Sequence, residues 1–123
     1  MYKILVVDDE VNGRKLIKEI IGEYIDDVCF FEASNGKAAL EVVYSNKPDL
    51  LILDYKLPDI DGLQLCRILK EDINYIYIKT VLVTGMMYED LKGDTSYIDS
   101  YIAKPYDEEN LINIINTLRD VRG

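Results

Sequence analysis

Lys3-Ile4-Leu5-Val6-Val7-Asp8-Asp9-Glu10 carries the logic of this chain. A short run rich in Val, Ile and Leu reads as a buried parallel strand. This one stops abruptly at three acids. The pattern returns three times. Leu50-Leu51-Ile52-Leu53 ends in Asp54, Thr80-Val81-Leu82-Val83 ends in Thr84-Gly85, and Ser100-Tyr101-Ile102-Ala103 ends in Lys104-Pro105. In an open α/β sheet a ligand sits beyond the carboxyl ends of the strands. Asp8, Asp9, Asp54, Thr84 and Lys104 are therefore expected to converge on one crevice. Three carboxylates, a hydroxyl and an ammonium can together bind a divalent cation and hold a phosphoryl group.

Outward from these runs the chain alternates strand and helix. Leu16, Ile17, Ile20, Ile21 and Tyr24 recur at helical spacing and predict a helix over about Val11 to Tyr24. Val28-Cys29-Phe30-Phe31 reads as the second strand. Asn35-Gly36 turns into a helix containing Ala39, Leu40 and Val43, which Lys47-Pro48-Asp49 stops. The loop Leu57-Pro58-Asp59-Ile60-Asp61-Gly62 leads into a helix with Leu63, Leu65, Cys66, Ile68 and Leu69. Ile78 to Val83 and Tyr101 to Ala103 are the fourth and fifth strands. Asp107 is placed to cap a last helix striped by Leu111, Ile114, Ile115 and Leu118. Between Met86 and Asp99 the pattern fails: Gly93, Asp94, Thr95 and Ser96 break it, and only a short helix is expected around Tyr88 to Lys92.

The 123 residues fit one domain with one core. No apolar run approaches the ~20 residues of a membrane span. Met1-Tyr2-Lys3-Ile4 runs straight into a strand without a charged leader, so a cytoplasmic protein is expected. The net charge is -9 with Lys and Arg scattered, whereas a duplex-binding face is basic, so direct nucleic-acid binding is not expected. Clustered Asp8, Asp9 and Asp54 call for a cation: at ~4 Å and an effective dielectric of ~20, each like-charge pair costs about 4 kcal/mol. Cys29 and Cys66 lack metal spacing and read as packed, reduced thiols. With no His in the chain, any histidine in the chemistry belongs to a partner.

Each site residue has an ordinary reading as well. Adjacent acids after a strand often form a solvated turn. Here they diverge, so one can ligate Mg2+ directly and the other through water, as that ion prefers. A strand-end Asp usually caps a loop, yet Asp54 faces the acidic pair and can act as a nucleophile toward phosphorus, giving an acyl phosphate. Such a reaction needs mainly positioning and charge neutralisation. Thr84 is as well suited to β structure as to donating to a phosphoryl oxygen, and Gly85 lets the backbone approach closely. Lys104 at the end of a buried strand can pair with Asp54, and Pro105 fixes the backbone after it.

Taken in order, these residues make the chain resemble the receiver domain of the two-component response regulators, from Lys3 to Arg122. The acidic pair Asp8-Asp9, Asp54 with Pro58 and Asp61-Gly62 downstream, Thr84 before a small residue, and Lys104-Pro105 all match. Tyr101 matches the family's aromatic switch position. The resemblance implies one receiver domain over residues 1–123, with no output domain in the chain. It also implies an α/β, flavodoxin-like three-layer doubly wound sandwich, five parallel strands in order 2-1-3-4-5 with about five helices. Asp54 would accept a phosphoryl group from a phosphohistidine on a sensor histidine kinase or histidine phosphotransfer protein. Mg2+ would sit on Asp9, Asp54, the carbonyl of Lys56 and waters, one of them held by Asp8. Thr84 and Lys104 would bind phosphoryl oxygens. Thr84 and Tyr101 would then switch the face made by the fourth helix, fifth strand and last helix. Such a domain catalyses its own phosphorylation and dephosphorylation without turning over an external substrate, and the resemblance allows a phosphorylation-dependent dimer.

Two departures stand out. Lys56 occupies a position that overhangs the phosphoryl site, and the segment between Thr84 and Lys104 is shortened, with Tyr97-Ile98 in place of Gly-Ala. Tyr106 stands where Phe is common. Tyr88, Tyr97, Tyr101 and Tyr106 read either as an aromatic partner surface or as half-buried packing. Competing functions are weaker. Aspartate-nucleophile phosphatases carry a second Asp where Lys56 stands, and a flavin phosphate would be repelled by Asp8-Asp9-Glu10. Three arrangements stay open: a stand-alone phosphorelay shuttle, the amino-terminal receiver of a longer regulator such as a DNA-binding one, and, less favoured, a phosphorylation-independent interaction module.

Overall fold

The computed structural model describes residues 1–120. Val121, Arg122 and Gly123, where the family resemblance runs out, lie outside the described residues. Five parallel strands form one sheet: β1 (Tyr2–Val7), β2 (Val28–Ala33), β3 (Leu50–Leu53), β4 (Lys79–Thr84) and β5 (Ser100–Ala103). Their order is β2-β1-β3-β4-β5. The helices are α1 (Val11–Tyr24), α2 (Gly36–Asn46), α3 (Gly62–Lys70) and α4 (Glu108–Asp120).

The two faces of the sheet carry separate halves of the core. Ile4, Val6, Ile52, Val81 and Val83 pack against Ile17, Ile20 and Ile21 of α1 and Leu111 and Ile115 of α4. Leu5, Val7, Leu51, Leu53 and Leu82 pack against Ala39 and Val43 of α2 and Leu65, Cys66 and Leu69 of α3. Alternate residues of a strand point to opposite faces, so a strand apolar throughout is buried on both. β1, β3 and β4 behave this way. β5 does not: of its residues only Ile102 is buried, because β5 is an edge strand.

The helix ends follow the local chemistry. The Asn35 side chain accepts the Ala38 N–H at 2.8 Å and caps α2. Asp61 and Gln64 form a reciprocal capping box at the start of α3. Asp107 accepts the Glu109 N–H at 2.8 Å, as its capping reading required. In α1, however, Leu16 and Tyr24 lie outside the core. Tyr24 instead donates to Glu108 at 3.3 Å, spanning from α1 to α4. Cys66 is buried, and burial pushes its thiol up to about 12, in keeping with an inert packed group.

The expectation of about five helices comes close: four α-helices form among the described residues, and the short helix expected around Tyr88 to Lys92 is the 3-10 turn Tyr88–Asp90. Among the described residues, segment 86–99 holds only two 3-10 turns, Tyr88–Asp90 and Thr95–Tyr97. Gly93 takes φ +127, a left-handed conformation that ends any helix between them. Tyrosine hydroxyls fasten this segment instead. Tyr97 donates to Glu71 at 2.9 Å, Tyr88 to Thr95 at 2.9 Å, and Tyr55 both donates to and accepts from the Lys92 backbone. Tyr97, Tyr101 and Tyr106 are half-buried and Tyr88 is exposed, which favours the packing reading of these aromatics.

At the far end of the segment the Asp99 carboxylate accepts from Lys70 Nζ at 2.9 Å and from the Thr80 N–H at 2.8 Å. Burial alone would raise this carboxyl, but the Lys70 ammonium and the Thr80 N–H outweigh it and hold it below its ordinary value. A depressed folded value contributes stability above the unfolded value and loses it as pH falls through the folded one. Urea midpoints should therefore drop below about pH 4, and Asp99→Asn should flatten that acid limb. An unchanged slope in the variant would rule the cluster out as its source.

Candidate functional site

Strand register builds the site. Val7 pairs with Leu53, and Leu53 with Leu82, so Asp8 and Asp54 leave the sheet side by side. The ladder extends one step further, with the Asp54 N–H donating to the Val7 carbonyl at 3.1 Å. Thr84 pairs with Ala103, which brings Lys104 to the same edge. The sheet order reverses direction at β1 and β3, and that reversal opens the crevice.

Lys104 is the centre of the electrostatics. Its Nζ lies 3.0 Å from Asp54 Oδ2 and 3.4 Å from Asp8 Oδ2. Burial by itself would lower the ammonium. The hydrogen bond and charge of Asp54, then the charge of Asp8, prevail and hold it above its ordinary value. One cation thus offsets two carboxylates that would repel each other. The Lys104-Pro105 peptide is cis.

Asp8 is buried, and its Oδ1 accepts the Glu10 N–H at 3.0 Å. Asp54 Oδ1 accepts the Tyr55 N–H at 2.6 Å. Thr84 is buried, and its Oγ1 accepts the Met86 N–H at 3.3 Å, so its own O–H remains to donate. Asp9, Glu10, Asp54, Lys56, Thr84, Gly85 and Met86 line an open cleft of about 390 Å³. Asp9 and Lys56 stand exposed at its rim. Tyr101 lies outside the cleft: its hydroxyl donates to the Met86 carbonyl, and its ring meets Tyr88 edge-on at 5.3 Å. Met86 therefore touches both Thr84 and Tyr101.

The acids do not close on one point. Among the described residues no group of three His, Cys, Asp or Glu is drawn together as a metal cage. Lys104 stands between Asp8 and Asp54 instead. The carboxylates that line the cleft nonetheless offer oxygen donors, and Mg2+ asks for only one or two carboxylates with the rest water. Asp9 and Asp54 meet that demand.

Sequence reading overlooked Arg14. Its guanidinium donates to the Asp8 carbonyl and, at 2.9 Å, to Glu32. Lys18 also reaches Glu32, at 2.8 Å. The Lys18 and Arg14 hydrogen bonds hold the Glu32 carboxyl below its ordinary value. Glu32 comes within reach of Arg14 because β2 pairs with β1, Val6 opposite Glu32, a relation that no local spacing reveals.

Known proteins agree with this geometry. The model of the response regulator receiver domain matches residues 4–116. The phosphate regulon transcriptional regulatory protein PhoB of Pseudomonas aeruginosa is 36% identical over 89% of this chain and 48% of its own. Sporulation initiation phosphotransferase F of Bacillus subtilis is 31% identical over 89% of this chain and 86% of its own. The first curated relatives are longer: the chain spans between 8% and 55% of their lengths. Among solved structures, response regulator protein TrrA of Thermotoga maritima, in complex with Mg(2+)-BeF, superposes with a TM-score of 0.85 at 31% identity, covering 96% of this chain and 99% of its own. The crevice beyond the strand ends, the Asp54–Lys104–Asp8 bridge and these matches together place the chain in the response regulator receiver domain family.

Proposed function

We propose that Asp54 is the phosphoryl acceptor of this receiver, taking its group from a phosphohistidine of a sensor histidine kinase or histidine phosphotransfer protein. The observation that carries this reading is the position of Asp54. It is a strand-end carboxylate at the topological switch point, 3.0 Å from Lys104 and open to the cleft.

In the transfer an Asp54 carboxylate oxygen forms the new P–O bond. The P–N bond to the partner's imidazole breaks, and the imidazole leaves with the bonding pair. Lys104 shifts its ammonium from the carboxylate to a phosphoryl oxygen, and the Thr84 hydroxyl donates to another. Asp9, Asp54 and the Lys56 carbonyl would hold Mg2+, with Asp8 orienting a bound water. The ion supplies positive charge for the phosphoryl oxygens. Hydrolysis reverses the state: water attacks phosphorus, inorganic phosphate leaves, and the Asp54 carboxylate returns.

Output follows from the Met86 link. When Thr84 turns to the phosphoryl group, its hold on the Met86 N–H loosens, and the Tyr101 contact to the Met86 carbonyl loosens with it. Tyr101 then turns inward, and the face formed by segment 86–99, β5 and α4 shifts population. Phosphorylation-dependent dimerisation through that face belongs to the same reading. The two curated relatives support both arrangements. One is little longer than this chain, and the other is a transcriptional regulator about twice its length. No helix among the described residues is long and apolar enough to cross a membrane. With a net charge of -9 the domain itself is not suited to nucleic acid, and on this reading it works in the cytoplasm.

The test is intact-mass analysis after incubation with acetyl phosphate, with and without Mg2+. One Mg2+-dependent phosphoryl addition supports the reading. If none forms, and beryllofluoride also fails to bind protein shown to be folded, the reading is overturned.

Lys56 offers a finer prediction. Its side chain is exposed at the rim of the cleft, where it can limit the approach of water to the phosphoryl group. Lys56→Ala should speed aspartyl-phosphate hydrolysis roughly threefold, a barrier change of ~0.7 kcal/mol. A phosphate-release rate equal to that of the parent would remove Lys56 from the lifetime.

A further inference from the structure

The loop between β3 and α3 is anchored on α2 by a carboxylate that the phosphoryl chemistry does not use. Asp59 Oδ1 accepts the Gly36 N–H at 2.8 Å and the Ile60 N–H at 2.9 Å. Its Oδ2 accepts the Lys37 N–H at 2.9 Å. Gly36 and Lys37 are the first residues of α2, so these N–H groups have no partner within the helix. They also lie at the positive end of its dipole.

Asp59 does not replace a missing cap. Asn35 already serves the Ala38 N–H, and Asp59 takes the two donors that Asn35 leaves. The Gly36 N–H, then that of Lys37, holds the Asp59 carboxyl below its ordinary value. Shape reinforces the contact. A Cβ on Gly36 would stand 2.5 Å from Ile60 Cγ1 and 3.2 Å from Asp59 Oδ1, so any other residue there would force the Ile60 side chain to shift. At its base the loop closes through the Gly62 N–H to the Tyr55 carbonyl, at 2.7 Å. Lys56 lies between these two anchors.

We propose that Asp59 is a positioning residue: by docking the β3–α3 loop on the start of α2, it fixes the Lys56 carbonyl as a Mg2+ ligand beside Asp9 and Asp54. This inference rests on the receiver reading. It adds a requirement that the reading lacks, since the order of the metal site then depends on a contact with α2.

The experiment is a calorimetric Mg2+ titration of the full chain and of Asp59→Ala, Asp59→Asn and Asn35→Ala, with amide exchange of residues 55–61 followed in the same samples. Asp59→Ala should weaken Mg2+ about tenfold, the usual cost of losing an outer support of a metal ligand. It should also speed exchange across the loop. Asp59→Asn keeps one acceptor oxygen and should fall between it and the parent. Asn35→Ala weakens the same helix end without touching the loop, and should bind Mg2+ like the parent. Parent-like affinity in Asp59→Ala overturns the proposal. So does an equal loss in Asn35→Ala, because the effect would then be one of helix stability alone. A parent chain that binds no Mg2+ overturns the Mg2+-dependent acceptor reading of Asp54 itself, which sets that failure apart.

Discussion

Asp54→Asn should take up no phosphoryl group from acetyl phosphate under conditions that load the parent chain. The amide matches the carboxylate in shape, so the Tyr55 N–H keeps its acceptor and the β3–α3 turn stays in place. What disappears is the anionic oxygen that attacks phosphorus. A neutral amide is a far poorer nucleophile, and no other acid replaces it. Asp8 is buried behind the bridge to Lys104, and Asp9 is exposed at the rim with no ion pair among the described residues. The loss should therefore be complete rather than graded. Stability should change little. Lys104 keeps its pairing with Asp8, and the repulsion between Asp8 and Asp54 vanishes. The measurement is intact mass with a thermal melt on the same sample. A folded variant that still gains one phosphoryl group would move the acceptor elsewhere.

Gly62→Ala should be the most damaging conservative change in the chain. A Cβ there would lie 2.5 Å from the Asp54 carbonyl oxygen, 2.9 Å from Leu82 Cδ1 and 3.2 Å from Tyr55 Cα. Leu82 can rotate its methyl aside, but the other two neighbours are backbone, so side-chain movement alone cannot relieve the clash. Relief requires α3 to retreat from β3 or the Asp54 peptide to tilt. Either movement strains the Gly62 N–H bond to the Tyr55 carbonyl and disturbs the packing of Leu63 and Leu65. Overpacking of this kind costs about 1–3 kcal/mol, and backbone contact places it toward the upper end. For a domain of this size that is roughly 5–12 °C in Tm. Phosphorylation should slow as well, because the tilted peptide re-aims Asp54. A melt like that of the parent would show that the α3 start is free to slide.

Much of this was legible along the chain. The strand runs ending in Asp8-Asp9, Asp54, Thr84 and Lys104 imply a parallel sheet with its chemistry at one edge, because the period of a strand is local and two-sided burial demands continuous apolar residues. Lys104 to Asp54 at 3.0 Å is the consequence. Other features were hidden. Leu16 and Tyr24 share the helical spacing of Ile17 and Ile21, yet they fall outside the stripe that α4 and the sheet cover. The fifth helix was expected, and segment 86–99 spends its backbone on 3-10 turns and tyrosine contacts instead.

The sequence by itself determined the five strands, the long helices around them, their order along the chain, and which side chains stand at the strand ends, since periodicity, turn residues and caps act over a few residues. Tertiary structure alone decided which of those ends touch. The Asp8–Lys104 bridge, the Glu32 grip on Arg14, the Thr80–Asp99–Lys70 cluster and the Asp59 clasp on α2 all join residues from separate elements. Their pairing depends on strand register and on how closely the β3–α3 loop approaches, through side chains at Gly36 and through backbone at Gly62. Both are set by packing of the whole core, a collective quantity that no local pattern encodes.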